Sequence, residues 1–324
     1  MSSDEVEEIP HQETNGETTS EKEPVEKNQY SLDDIPDDEE GIDLTMTRAD
    51  HIPELIRFSK LNDLTIRSNL LKEINNNLVP LTSLVELDLY ENQLGEICNL
   101  ETLVNLVKLD LSYNRIREIK GLSTLVNLRE LYLVHNKIDE IKGLENLTQI
   151  VLLELGDNRI RHIKGIDHMT NLKDLYLGKN KIGKIEGLEK LTGLKKLSLP
   201  ANRLTKIENL DGMEDLEELY LSDQGLDTLE GLSNLKKLMI IDIANNSVSS
   251  LKELAALPEL TDIWANDNKI SSWTEVDSLS KLEQLETVYL ERNPIYKDDV
   301  TAYRRKVILA LPKITQLDAT QCRT

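Results

Sequence analysis

From about residue 41 onward, hydrophobic and polar positions follow one rhythm. Residues 106–127 show it in full: LVKLDLSYNRIREIKGLSTLVN. In the first half, L-x-x-L-x-L-x-x-N-x-I, apolar and open positions alternate. A period of two predicts a strand with Leu109 and Leu111 on one face and Lys108, Asp110 and Ser112 on the other. Asn114 falls at the following turn, where a short amide side chain bonds to neighbouring backbone groups. Ile116 and Ile119 return to the apolar side, and Gly121 breaks the chain. Leu122, Leu125 and Leu128 then recur every three residues, which suits a short 3-10-type turn better than a long helix.

One such unit cannot bury its leucines against itself, whereas stacked copies can. The register persists through Asn69, Asn92, Asn114, Asn136, Asn158, Asn180, Asn202, Gln224, Asn246, Asn268 and Asn293, with steps of 23, then eight of 22, then 25. Ile42, Leu44, Thr47 and Ile52 supply a degenerate first copy. The expectation is therefore an α/β leucine-rich-repeat solenoid, a right-handed horseshoe. Its concave parallel β-sheet has about twelve repeats, and short 3-10 or helical turns cross the convex side. Gly121, Gly143, Gly165, Gly187 and Gly231 recur at one position, with Asn99 and Asn209 substituting. These residue types point to a left-handed backbone there. After Asn293, Val300, Tyr303, Val307 and Leu311 recur at helical spacing and Pro312 stops the run, predicting a C-terminal helical cap with Arg304 and Arg305 on its solvated face. The domains are a disordered acidic tail over 1–40, the repeats over 41–295 and the cap over 296–324.

Charge changes this picture mainly at the N-terminus. Of a net −21 over 324 residues, −14 comes from residues 1–44, with sixteen Asp/Glu against two Lys, and −7 from the rest. An acidic segment with few large apolar residues cannot offset its ordering entropy. The run Asp37-Asp38-Glu39-Glu40 is read as solvated charge, since nothing fixes a coordination geometry. The overall balance disfavours nucleic acid and acidic membranes as partners. There is no 18-residue apolar run and no secretory leader pattern, so no membrane span is expected. Cys98 and Cys322, without C-x-x-C, give no disulfide framework and suit a reducing compartment.

The position between the two strand leucines lines the open face. It reads Asp43, Thr65, Asp88, Asp110, Tyr132, Glu154, Tyr176, Ser198, Tyr220, Asp242, Trp264 and Tyr289. Five of the chain's twelve aromatic residues lie in this one column, and acids fill most of the remainder. Such tyrosines can simply pack on cross-strand neighbours. Aromatics spread along a face turned away from the core are also the raw material of a protein-binding surface, and that reading is preferred. Across the four open positions of eleven repeats there are fifteen Asp/Glu and five Lys/Arg. The resulting acidic face, about 50 Å long at 4.8 Å per strand, fits a folded protein better than a small ligand.

Catalysis finds little support. No phosphate-loop, dinucleotide or H-E-x-x-H motif is present, and of five histidines only His135 falls on the open face. The acids are spread along the sheet rather than converging in a pocket. No catalytic residue, cofactor or metal site is expected, and the chain is read as a non-enzyme.

The 22-residue unit L-x-x-L-x-L-x-x-N-x-I-x-x-I-x-G-L, the Y-x-x-x-V-x-x-x-L-P-x-I-x-x-L-D cap from Tyr303 to Asp318 and the acidic tail together resemble the leucine-rich-repeat regulatory subunit of type-1 serine/threonine protein phosphatase. The resemblance covers about residues 41–320. It implies that the concave face binds the phosphatase catalytic subunit through Asp110, Tyr132, Glu154, Tyr176, Asp242, Asp262, Trp264 and Tyr289. Tyr220 fits the same pattern. It further implies a monomer when free, a phosphatase inhibitor as an additional partner, and a place in nucleus and cytoplasm. The implied roles are phosphatase maturation, localisation, mitosis and chromosome segregation. The single phenylalanine, Phe58 in LIRF, does not form the short [RK]-V-x-F docking peptide of many phosphatase regulators, so binding falls to the folded surface. An adaptor for a different basic protein, in an RNA-processing or cytoskeletal complex, is the alternative; the third is a hydrolase with an acidic concave site.

Overall fold

A computed structural model describes residues 26–298 and 300–322. Twelve three-residue strands pair parallel and in chain order: β1 (Gly41–Asp43), β2 (Asp63–Thr65), β3 (Glu86–Asp88), β4 (Lys108–Asp110), β5 (Glu130–Tyr132), β6 (Leu152–Glu154), β7 (Asp174–Tyr176), β8 (Lys196–Ser198), β9 (Glu218–Tyr220), β10 (Ile240–Asp242), β11 (Asp262–Trp264) and β12 (Thr287–Tyr289). The middle residue of every strand is buried. Pairing is residue for residue, so Leu109 stands beside Leu131 and Asp110 beside Tyr132. Stacking at this register merges the leucines and isoleucines of all repeats into one continuous core. Ile116 and Ile119 join it as the pattern requires. Ser112, expected on the open face, is buried instead, and its Oγ accepts the Val134 amide at 3.2 Å.

The convex side is made mostly of turns. Leu125 donates to Leu122 and Leu128 to Leu125, each at 3.0 Å, so the three-residue leucine spacing yields successive single 3-10-type turns. Short 3-10 segments form at Asn76–Leu78, Lys252–Ala256 and Leu279–Lys281. The 25-residue step between Asn268 and Asn293 has room for a true helical segment, α1 (Trp273–Ser278), whose start is capped by the Ser272 hydroxyl.

The asparagines form a ladder through the turns. Asn114 Nδ2 donates to Leu89 O of the preceding repeat and to Leu111 O and Ser112 O of its own, at 3.0, 3.0 and 3.1 Å. Its Oδ1 accepts the Leu94 amide at 2.9 Å. Asn136, Asn158, Asn180 and Asn246 repeat this pattern, each buried. The five recurring glycines, with Asn99 and Asn209, have positive φ as their residue types predict. At Gly143 a Cβ would lie 2.3 Å from Ile119 O, so close approach as well as φ excludes a side chain.

Both ends of the core are covered. Residues 1–25 of the expected disordered tail lie outside the described residues, but 26–40, assigned to the same tail, are placed against the first repeat. Tyr30, Leu32 and Ile35 pack on the core, the Gln29 amide donates to Thr47 O at 2.7 Å, and the Arg57 guanidinium donates to Ile35 O at 3.0 Å. The tail therefore ends well before residue 40, because the atypical first repeat leaves apolar surface that these three side chains cover. At the other end, α2 (Pro294–Lys297) and α3 (Val300–Ala310) are followed by β13 (Gln316–Leu317), parallel to β12, and by β14 (Thr320–Gln321), antiparallel to β13. Tyr303 and Val307 face the core. Arg305 is exposed as expected, but Arg304 is not merely solvated. Its guanidinium donates to Gln321 O at 2.8 Å and ties the closing hairpin to α3.

Candidate protein-binding face

The in-register pairing turns the sequence column into a physical row, Asp88–Asp110–Tyr132–Glu154–Tyr176–Ser198–Tyr220–Asp242–Trp264–Tyr289, along the open face of the sheet. These side chains are half-buried.

The aspartates are held in place by the backbone beyond their own strands. Asp110 Oδ1 accepts the Ser112 amide at 2.8 Å, and Asp242 Oδ1 accepts the Ala244 amide at 2.9 Å. Asp88 does the same with Tyr90, and its second oxygen accepts from Arg67 at 2.9 Å. Short carboxylates suit this position because they bond two residues ahead. Burial pushes the Asp110 carboxyl above the usual carboxylate range despite that bond, and Asp242 likewise. Glu154 is raised too, first by burial and then by Asp110. Asp110, Glu154 and Asp242 form no ion pair among the described residues. Asp262, beside Trp264, accepts the Thr261 hydroxyl at 2.6 Å.

The aromatic residues divide into two groups. The Tyr132 hydroxyl donates to Glu130 at 2.9 Å and the Tyr220 hydroxyl to Glu218 at 2.7 Å; burial and these carboxylates push both phenols up. Tyr132 and Tyr176 have no ring partner among the described residues, although the Lys196 ammonium lies 6.0 Å from the Tyr176 centroid. Lys196 itself pairs with Glu218 at 2.9 Å. Tyr220, Trp264 and Tyr289, by contrast, cluster: the Tyr220 and Trp264 centroids are 6.0 Å apart, and Trp264 meets Tyr289 edge-on at 6.5 Å. Asp242, Trp264, Tyr289 and Arg292 help to line a hollow of about 340 Å³. Arg292 is already bound to Asp267, with contacts of 2.7 and 2.8 Å, so the hollow keeps its acidic side. Tyr289 is fixed by Gln316 Nε2 donating to its hydroxyl at 2.7 Å, which couples the face to the cap.

A second cluster escaped the column reading. Arg67 lies over the Tyr90 ring at 4.2 Å, Tyr90 is 4.9 Å from Tyr113, Tyr113 stacks on His135 at 4.8 Å, and His135 Nδ1 is 2.5 Å from Asp157. Tyr113 and His135 precede the ladder asparagine and have φ of 55° and 51°; every residue from Ser68 to Arg292 at that position is left-handed. The residue types vary too much for this constraint to show in the sequence. A run of aromatics displaced by one position from Tyr90 to Tyr113 was the available signal.

Other candidates are placed elsewhere. Phe58 is buried, with the Arg57 guanidinium 4.1 Å from its ring centroid, so LIRF presents no phenylalanine. His168 meets Leu144 O at 3.0 Å and His162 meets Glu186 at 3.0 Å, both in the convex turns. Cys98 and Cys322 are half-buried. Among the described residues no group of three or more His, Cys, Asp or Glu could hold a metal, and no helix is long and apolar enough to cross a membrane.

Comparisons with known proteins agree with this architecture. A family model described as leucine-rich repeat matches residues 194–324, and one for two copies of the repeat matches residues 104–146. The chain is a leucine-rich-repeat protein. Among solved structures, an internalin from Listeria monocytogenes superposes with a TM-score of 0.73 at 22% identity over 87% of each chain. A leucine-rich-repeat protein from Leptospira interrogans gives 0.69 at 24% identity, covering 83% of this chain and 76% of that one. These similarities concern the fold alone. In sequence, the chain is 54% identical over 80 residues to a Caenorhabditis elegans protein named protein phosphatase 1 regulatory subunit SDS22 homolog, covering 25% of this chain and 24% of the relative. It is 67% identical over 39 residues to human protein phosphatase 1 regulatory subunit 7, covering 12% and 10%. The matched stretches thus span about a quarter and a tenth of these relatives. Both relatives are named as protein phosphatase 1 regulatory subunits.

Proposed function

We propose that this leucine-rich-repeat protein is a non-catalytic regulatory subunit of protein phosphatase 1, binding the catalytic subunit across its concave face and governing its maturation, localisation or activity. The observation that carries this reading is the row of side chains between the strand leucines, in which unpaired carboxylates alternate with half-buried aromatic rings. Half-buried aromatic anchors supply binding energy, and carboxylates without an ion-pair partner select a basic surface. The names of the similar proteins supply the identity of the partner. On this reading the chain acts in nucleus and cytoplasm, including in mitosis, and a phosphatase inhibitor joins the complex.

The test is the affinity of recombinant type-1 phosphatase catalytic subunit for the full chain and for a Tyr176→Ala, Trp264→Ala, Tyr289→Ala variant, with circular dichroism confirming that both are folded. Each anchor is expected to contribute about 1 kcal/mol or more, so the folded triple variant should bind at least about 100-fold more weakly. Absence of wild-type binding would overturn the partner, and equal binding by the variant would overturn the face.

A further inference from the structure

Five consecutive repeats carry a basic residue immediately after the ladder asparagine: Arg115, Lys137, Arg159, Lys181 and Arg203. The ladder keeps them in line, because their backbone amides donate to Leu94, Ile116, Ile138, Ile160 and Ile182 of the preceding repeats, all at 2.8 Å. Four steps of about 4.8 Å make a stripe roughly 19 Å long on the flank of the sheet. None of the five forms an ion pair among the described residues. Lysines further along the turns do, as in Lys120–Glu96 at 2.8 Å, Lys142–Glu118 at 3.0 Å and Lys164–Glu140 at 2.6 Å. Two residues on, Arg117 and Arg161 add positive charge with Asp139 between them. In a chain of net charge −21, so long a row of unpaired cations calls for a counter-charge.

The same chain supplies one. Residues 1–25 hold eight carboxylates, from Asp4 to Glu23, against the single lysine Lys22. The described chain also begins at the head of this row. The Asn28 amide donates to Arg48 O at 3.1 Å, and Arg48 follows Thr47, which precedes Asn69 by one repeat. Arg48 therefore holds the position that Arg115 holds three repeats later, and its Nε is covered without a hydrogen-bond partner. Seven steps separate Arg48 from Arg203, roughly 34 Å. Twenty-five residues can span about 80 Å when extended.

We propose that residues 1–25 dock along the stripe from Arg115 to Arg203 of their own chain, as an acidic strap. Zero-length carbodiimide cross-linking of the full chain, mapped by mass spectrometry, tests this, because the stripe offers Lys137 and Lys181 to the strap's carboxylates. Cross-links from residues 4–23 to these two lysines should dominate, with a yield independent of protein concentration. The yield should fall at least five-fold in an Arg115→Glu, Arg159→Glu, Arg203→Glu variant that keeps both lysines. It should fall similarly for wild type in 1 M salt, where the screening length is about 3 Å; this arm decides if the variant fails to fold. Yields to Lys137 and Lys181 no higher than to Lys190 or Lys237 would overturn the proposal, as would insensitivity to salt. A yield that rises with protein concentration would assign the strap to a second copy and overturn the intramolecular arrangement.

Discussion

The asparagine ladder shows how one side chain fixes the repeat. Asn180 donates to Leu155 O, Leu177 O and Gly178 O, at 2.9, 3.0 and 3.2 Å, while its Oδ1 accepts the Ile160 amide at 2.9 Å. Asn180→Ala leaves the buried Ile160 amide without a partner and removes one of two donors each from Leu155 O and Leu177 O, which keep Asn158 and Asn202; an unsatisfied buried group alone costs about 1–3 kcal/mol. A loss of roughly 2–4 kcal/mol, read from the urea midpoint, is expected. Gln224 is the exception within the ladder. Its longer arm keeps the two bonds to the preceding repeat, at Leu199 O and Leu204 N, but none to the carbonyls of its own turn among the described residues. Gln224→Asn should restore those and raise stability by about 0.5–1.5 kcal/mol, detectable in the same titration. The ladder was legible in the sequence because only a short amide presents donor and acceptor at this reach, so selection at the position is visible. The left-handed residue just before it was not legible: the ladder imposes that conformation on Glu91, Tyr113, Lys179 and Arg292 alike.

At the scale of elements, the two ends carry the burden of closing an otherwise open stack. Asp318 at the C-terminus takes the place of a further repeat. Its Oδ1 accepts the Leu290 and Glu291 amides at 2.9 and 3.0 Å, and its Oδ2 accepts the Tyr303 hydroxyl at 3.1 Å. One carboxylate thus joins α3 to the end of β12, directly beside Tyr289. Asp318→Ala should cost about 2–3 kcal/mol and increase hydrogen exchange first in β12 and α3, while β4 to β8 keep their protection. Uniform loss of protection across the sheet would show that the cap is not a separate unit. Helical spacing makes α3 readable, yet it places Arg304 in solvent, because a side-chain bond to Gln321 O has no periodic signature. The placement of residues 26–40 is illegible for a related reason: Tyr30, Leu32 and Ile35 are isolated among acids, and their burial depends on the exposed end of another element. The column from Tyr132 to Tyr289 was readable because strand register carries a sequence period directly into space. The Arg67–Tyr90–Tyr113–His135 cluster changes position between repeats and so breaks that period.

For the whole molecule, the free charge of the face should separate binding from folding as pH falls. Burial raises the Asp110, Glu154 and Asp242 carboxyls above their ordinary values, so in the free chain they take up protons earlier on acidification than surface acids do. A basic partner placed against them would favour the ionised form and lower these pKa values in the complex. Complex formation then releases protons, and affinity falls as pH drops through the raised values, above the ordinary carboxylate range. Stability has the opposite sign. A carboxyl with a raised folded pKa opposes folding most when ionised, so protonating these three strengthens the fold. The contrary contribution comes from acids whose pKa is lowered, such as Asp267 beside Arg292 and Glu275 bonded by Ser250 and Leu251. Their stabilisation is present above the unfolded pKa and is lost only as pH falls lower, through the folded pKa. On the proposed function, a window therefore exists in which the chain remains folded while binding to a basic partner weakens. Calorimetric titration of the catalytic subunit across that window, with melting temperatures measured in parallel, should show weakening affinity at undiminished stability. Asp110→Asn with Glu154→Gln should flatten the affinity profile while leaving the aromatic contribution in place. A double variant with the wild-type pH dependence would remove these acids from the interface, since no other change of charge on the face accompanies the substitutions.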